Sequence, residues 1–512
     1  MDILFSAIVG DLFGRSASFV INKYCQQQPD IGMILQRLER VVLRIDTVVE
    51  EAEGRHIPNQ GMLRQLKLLK QGMYRGHYIL DALRFQAIGK EGEHKEGDGG
   101  SRSSSALSKF SPAKRLRFSR NGSGSCNRGA QLFGTNNNIQ EELQRVVDTL
   151  EDTMAGMKEF HFFLKLYPRV MRQPYGAYLL LDNCMFGRQT ERQRILNFLL
   201  CSGAAPDLAV LPIVGPIRVG KRTLVEYVCR EESVRTRFSM ILFFPEGSLK
   251  DERVIDLKGN NIDGLVKHHN CASQNRLLII VDIAEGINEE TWRSLKSSAA
   301  CMTPCGGSKI IITSRSDRIV CLGTTEALRL DYLPQEAYWY FFKSLVFGST
   351  NPEEEPKLVT MAMEIALEQK QCFTIARIIA GILRDNFNPR FWHTVLECMR
   401  AYKQAHYLNS DKHPNLCLRE DEPVYYWRLG RSSNFLVCNH RQLDSSEDVP
   451  KISVQDIILG CGGKLPHGKF EALEWRSRIP PYNNYTINCE VKAPKPMADR
   501  KKRVSQDEGR FI

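Results

Sequence analysis

The sequence has no Cys-x-x-Cys pair and no cluster of cysteine and histidine at zinc-ligand spacing. Its 15 cysteines are scattered; Cys301 and Cys305 come nearest, with nothing around them to complete a ligand set. A zinc module is therefore not expected. The same scatter argues against a secreted disulfide framework and for free thiols in a reducing compartment. No apolar run reaches the roughly 18 residues that a membrane span needs. Met1 to Tyr24 is apolar, but Asp2, Asp11 and Arg15 interrupt it, so an amphipathic helix is expected there and not a leader peptide. No leucine-rich or other repeat register is found along the chain. Together these absences point to a cytoplasmic protein without a transmembrane segment.

The chain has 512 residues, enough for roughly two to four domains. With 42% hydrophobic and 25% charged residues it can bury a sizeable core, which excludes wholesale disorder. Lys+Arg 70 against Asp+Glu 59 leaves a net charge of +11.

Residues 1–88 show helical spacing. Ile34, Leu38, Val41, Ile45, Val48 and Ala52 fall on one helix face, and Met62, Leu66, Leu69, Met73 and Leu80 form a second stripe after Ile57-Pro58-Asn59. Such stripes pack as a small bundle. Residues 89–138 shift to Gly, Ser, Lys and Glu and read as a flexible linker. Within it, Lys114 to Arg120 is a basic cluster, and Arg500 to Arg503 is another in the tail. Either is a solvated segment, with nuclear import or a nucleic-acid contact as the functional alternative. Helical periodicity resumes over 139–175 at Ile139, Leu143, Val146, Leu150, Met154 and Met157.

Over 180–345 the pattern changes to short apolar runs between helix-length segments. Leu208–Val214, Met240–Phe244, Leu277–Val281 and Lys309–Thr313 are largely apolar without alternation, as strands buried on both faces are. A parallel α/β sheet is expected. Residues 346–403 are helical again, and 404–512 have mixed character and no assigned fold.

The first of these strands runs into Gly215-Pro216-Ile217-Arg218-Val219-Gly220-Lys221-Arg222-Thr223, followed by a helical segment. A Gly-x4-Gly-Lys loop between strand and helix is a phosphate cradle: backbone N–H groups and the helix N-terminus face the anion, and the lysine neutralises it. The loop departs from the working pattern. Arg222 stands where Ser or Thr would ligate Mg²⁺, a cation expected to repel the metal, and Thr223 comes one position late, about 100° round the helix. Pro216 has no N–H, and Ile217 and Arg218 occupy positions where glycine lets backbone approach phosphate. Leu277 to Asp282 has the form of a Walker B strand with a single acid.

The order of these elements resembles a plant intracellular immune receptor of the nucleotide-binding (NB-ARC) class. Phe186 to Glu191 resembles the family's entry motif, Gly215 to Leu224 its phosphate loop and Leu277 to Ile283 its Walker B strand. Gly307 to Arg315 resembles its GSKIIxTTR segment, with Ser314 for the second threonine. Leu333 to Gly348 resembles an aromatic and acidic helix, Cys372 to Ala376 falls where the family carries GLPLA, and Phe391-Trp392 resembles its closing tryptophan. Residues 1–88 resemble the Rx-like helical domain; Met73 to Leu83 aligns with its acidic helix, with His77 and Tyr78 in place of two acids.

The resemblance implies a helical N-terminal domain, a P-loop NTPase-like α/β domain and a following helical (ARC-type) subdomain. It implies a truncated plant disease resistance protein, since no winged-helix domain, His-Asp motif or repeats follow. The implied cofactor is ADP or ATP, held by Gly215, Gly220, Lys221, Arg222 and Thr223, with Asp282 as the residual acid, Arg315 as phosphate sensor and Mg²⁺ in question. The implied role is a regulatory or interaction module and not a turnover enzyme. Implied partners are full-length immune receptors or signalling proteins, with self-association through the N-terminal helices. The alternatives are a scaffold that binds no nucleotide and acts through protein partners, an active P-loop ATPase of another class, and a nucleic-acid binder. The last is not favoured, because the basic clusters lack aromatic platforms or a recognition helix.

Overall fold

The structure, a computed structural model, describes residues 29–55, 57–94, 136–168, 185–201, 208–245, 265–269, 276–283, 286–302, 307–369, 371–409, 424–426, 428–429, 434–443, 449–460, 468–479 and 482–492. Both basic clusters and the amphipathic segment expected at the N-terminus lie outside them. The chain divides into two compact units, Met1–Asp385 and Asn386–Ile512, and the division falls within the helical segment expected at 346–403.

The first unit opens with helices α1 (Pro29–Glu53), α2 (Gln60–His94) and α3 (Asn136–Ala155), followed by the short α4 (Lys158–Leu164). The expected stripes are the buried ones, with one shift: Val49 and Val42 are buried, while Val48 is only half-buried. Helix α2 runs six residues into the segment read as linker, where Lys and Glu between the glycines still favour helix. α1, α2 and α3 pack on one another, and Arg37 of α1 donates to Glu151 of α3 at 2.6 Å.

The α/β part contains α5 (Gln189–Leu200), β1 (Ala209–Val214), α6 (Lys221–Cys229), α7 (Glu232–Arg237), β2 (Met240–Phe244), β3 (Leu265–His269), β4 (Leu277–Ile283), α8 (Glu289–Met302), β5 (Lys309–Ser314) and β6 (Leu328–Arg329). The sheet order is β3-β2-β4-β5-β1-β6; every neighbouring pair is parallel except β2 with β3. Successive residues of each strand enter opposite cores, which is why the runs do not alternate. Leu211, Ile213, Ile241, Phe243, Leu278, Ile280 and Ile311 pack with α5, α6 and α7; Val210, Leu242, Ile279, Val281, Ile310 and Ile312 pack with α8. This layered parallel sheet is consistent with a P-loop NTPase-like domain.

Helices α9 (Gln335–Phe347), α10 (Pro356–Glu368) and α11 (Phe373–Asp385) complete the unit. Helix α2 lies against α5, α9 and α10. Asp81 of α2, 4% exposed, accepts from the indole Nε1 of Trp339 at 2.9 Å and from Lys343 at 2.8 Å, both on α9. Beside it Tyr74 meets Phe186 and Tyr340, and His77 pairs with Asp46 of α1 at 3.1 Å. Burial, with Glu336 nearby, pushes the Tyr78 hydroxyl up to about 12.

The second unit begins with α12 (Pro389–Asn409), where Trp392 is fully buried, donates to Asn386 O at 3.0 Å and stands edge-on to Phe387. It continues with β7 (Val424–Tyr426), β8 (Asn434–Leu443), α13 (Val454–Leu459), β9 (Lys469–Arg476) and β10 (Asn484–Lys492). The strands form an antiparallel sheet of order β7-β8-β10-β9. Residues 404–512, whose mixed composition carries no fold expectation, hold this sheet.

Candidate functional site

β1 ends at Val214, and the chain turns through Gly215 to Gly220 into α6, whose N-cap is Gly220. Two glycines have separate reasons to be there. A β-carbon on Gly215 would sit 2.3 Å from the carbonyl oxygen of Leu330, so only glycine passes that point. Gly220 has φ +90°, and a β-carbon there would meet nothing within 4 Å. Space is therefore open beside the helix N-terminus, where unsatisfied N–H groups and the helix dipole favour an anion. Arg218 takes φ +60°, a left-handed conformation that costs a non-glycine residue about 1–2 kcal/mol.

The loop is pinned by donors around it. Gly215 N–H donates to Ser314 O at 3.2 Å, and Leu330 N–H to Val214 O at 2.8 Å. Tyr332 donates its hydroxyl to Ile217 O at 2.9 Å. Arg188, 5% exposed, donates to Asp331 O at 2.5 Å and to Val219 O at 3.4 Å. Burial lowers the Arg188 pKa, with Glu191 and Asp331 opposing that shift. Lys221 Nζ donates to Gly215 O at 2.8 Å and Pro216 O at 2.9 Å. Because a trans peptide sets its C=O and N–H in opposite directions, the N–H groups of Ile217, Arg218 and Gly220, which follow the held carbonyls of Pro216, Ile217 and Val219, point away from those donors. The anchors Arg188 and Tyr332 were not singled out as site residues from sequence; Arg188 lay in the recognised entry motif, while Tyr332 gave no signal.

Parallel register brings the other expected residues to the same edge of the sheet. Val214 and Ile283 both pair with Ser314, so the loop after β1, Asp282 of β4 and Arg315 just past β5 share the C-terminal edge. That edge is where open α/β sheets bind ligands. Asp282 Oδ1 accepts the Thr313 hydroxyl at 2.6 Å across β4 and β5. Thr223 is half-buried in the first turn of α6.

Arg222 takes a different course from the one expected. It was expected to present positive charge at the metal position; instead Nε donates to Glu226 Oε1 at 2.8 Å, and the guanidinium lies 4.2 Å from the ring centroid of Phe243 on β2. The i,i+4 carboxylate and the aromatic face draw it away from the loop.

No protein-family model matches the chain. Over 376 residues, 70% of the chain, it is 24% identical to disease resistance protein RGA2 of Solanum bulbocastanum, of which 35% is covered. It is 22% identical over 377 residues, 70% of the chain, to putative disease resistance protein RGA1 of Solanum bulbocastanum, again covering 35%. Over 412 residues, 77% of the chain, it is 23% identical to putative disease resistance RPP13-like protein 1 of Arabidopsis thaliana, covering 37%. The chain thus has homologues among plant disease resistance proteins and spans about a third of the length of the curated relatives it matches.

Proposed function

We propose that the chain acts in plant defence as an NB-ARC-type module that binds ADP or ATP at the Gly215–Lys221 loop and works by regulation or protein contact, not by turnover. The observation that carries this reading is the open N-terminus of α6, set at the C-terminal edge of a parallel sheet with Lys221 in its first turn and Arg315 just past the adjoining strand. Homology to disease resistance proteins supports the defence role. Lys221 meets the outer phosphates, Gly215 and Gly220 shape the cradle, and Arg315 reads the terminal phosphate. Asp282 accepts the Thr313 hydroxyl, and Arg222 stands in place of the metal-binding hydroxyl, which supports a nucleotide-responsive role over hydrolysis. No helix among the described residues is long and apolar enough to cross a membrane. Phe162, Phe163 and Leu166 lie exposed in and just past α4, an apolar face suited to a protein partner.

Equilibrium dialysis of the full chain against labelled ADP and ATP tests the reading. Saturable binding to one site without release of inorganic phosphate is expected; no retention of either nucleotide, or steady ATP turnover, contradicts it. A second reading, a scaffold that holds no nucleotide, is favoured by Arg218 at positive φ and by the Lys221 ammonium lying on loop carbonyls. It gains if Lys221→Ala alters neither stability nor partner binding.

A further inference from the structure

Phosphate loops between a strand and a helix hold their divalent cation through the hydroxyl that follows the lysine and a carboxylate on a neighbouring strand. The hydroxyl is not offered here in that form. Position 222 carries an arginine whose side chain is engaged one turn further along α6, with Glu226. The Glu226 side chain is 4% exposed and that of Arg222 21%, so each charge is answered by the other inside the domain, with the Phe243 ring flanking the guanidinium. The pair is electrically balanced. What the loop lacks is therefore an oxygen ligand, and repulsion by Arg222 is not the reason.

Thr223 supplies a hydroxyl one residue late, and the helical rotation of about 100° per residue carries it off the phosphate side. One oxygen of the Walker B acid already serves a neighbour, since Asp282 Oδ1 accepts the Thr313 hydroxyl at 2.6 Å. A magnesium ion demands near-octahedral oxygen geometry and gives up its water reluctantly. Among the described residues Asp282 can offer it a carboxylate oxygen, but no hydroxyl follows Lys221 to stand opposite. Among the described residues, no group of three or more His, Cys, Asp or Glu side chains gathers to hold a metal elsewhere.

Resting on the nucleotide reading above, we infer that this loop takes a nucleoside di- or triphosphate without a divalent cation. The phosphate charge is met by Lys221, the N–H groups at the start of α6 and Arg315. Arg222 is a positioning residue: it neutralises Glu226 and fixes the first turn of α6 to β2, and it does not touch phosphate.

Calorimetric titration of the full chain with ADP and with ATP, in magnesium chloride and separately in EDTA, tests this. Dissociation constants that agree within about twofold between the buffers are expected, and magnesium tightening of about tenfold or more overturns the inference. Loss of binding in both buffers is a distinct outcome that overturns the nucleotide reading itself. Arg222→Thr alone strands a buried carboxylate, so the companion variant is Arg222→Thr with Glu226→Gln, its folding verified by circular dichroism. With a hydroxyl restored after the lysine, magnesium should tighten ATP binding about tenfold. Continued indifference to magnesium in that variant would refute the missing hydroxyl as the cause.

Discussion

Removing the Asp81 carboxylate should loosen α2 from α9, and its buried partners set the size of the effect. Asp81 is 4% exposed and receives three hydrogen bonds from α9: one from the Trp339 indole and two from Lys343. Asp81→Ala leaves the Lys343 ammonium, 16% exposed, without this counter-ion and the fully buried indole N–H without this acceptor. Breaking one side of a buried ion pair costs about 3–5 kcal/mol. A stranded buried donor costs about 1–3 kcal/mol. The two do not add, because they share one vacated volume that water can enter. A net loss of about 4 kcal/mol is expected, a large part of a typical domain's 5–15 kcal/mol. Urea unfolding of the full chain, followed by tryptophan emission and by far-ultraviolet dichroism, measures it. Asp81→Asn keeps an acceptor for the indole and should lose less. Asp81→Leu combined with Lys343→Met should recover most of the loss, because no charge is then left buried. An Asp81→Ala chain within about 1 kcal/mol of wild type at unchanged m-value would show that the Asp81 pair does not hold α2 to α9.

Three further predictions bear on other parts of the fold. Gly76→Ala puts a β-carbon 2.2 Å from Val42 Cγ2, so overpacking of about 1–3 kcal/mol should outweigh the helix-propensity gain of up to about 1 kcal/mol; Val42→Ala in the same chain should restore thermal stability. Gly220→Ala meets no neighbour, so its cost should be the conformational one alone, about 1–2 kcal/mol by denaturant titration, whereas a larger loss would mean the loop packs more tightly than described. Lys309, donating to Phe198 O and to Cys201 O at 2.9 Å, has its pKa lowered to about 8, first by burial and then by Arg237. The unfolded chain keeps that proton into the ordinary lysine range while the folded chain releases it near 8, so this residue should add stability as pH rises above about 8, a slope that Lys309→Met should lack. Tyr338 and Tyr340, raised first of all by burial, work in the opposite direction once unfolded tyrosines ionise near their ordinary value of 10, which closes the window at its upper end.

The parts of the fold that were legible in sequence are those dictated by local pattern. Four strands of the α/β sheet read as apolar runs because both faces of each are covered. β6, with two residues, is too short for any pattern, and β3, Leu-Val-Lys-His-His, is an antiparallel edge strand without the apolar run of its neighbours. The turn from β1 into α6 at Gly215–Lys221 was legible because its residues are contiguous. Residues that act on it from a distance were not: Tyr332 reaches Ile217 across 115 positions and Arg188 reaches Val219 across 31, contacts that only the folded chain creates. Arg222 shows the limit most clearly. Its i,i+4 partner Glu226 could be read from spacing, but Phe243 comes alongside only when β2 docks against α6. Without that ring, repulsion of a metal was the natural expectation.

Nucleotide binding at the Gly215–Lys221 loop is the proposal on which the defence reading rests. Its most direct test is a calorimetric comparison of ADP binding to the full chain and to Lys221→Ala, with the melting temperature of each recorded. Lys221 holds two loop carbonyls, so its loss should cost only about 1 kcal/mol of stability. One-site binding by the wild-type chain and at least tenfold weaker binding by the variant, about 1.4 kcal/mol, are expected, with melting temperatures close together. Equal ADP affinity in the two chains, or no binding heat from either, would contradict it.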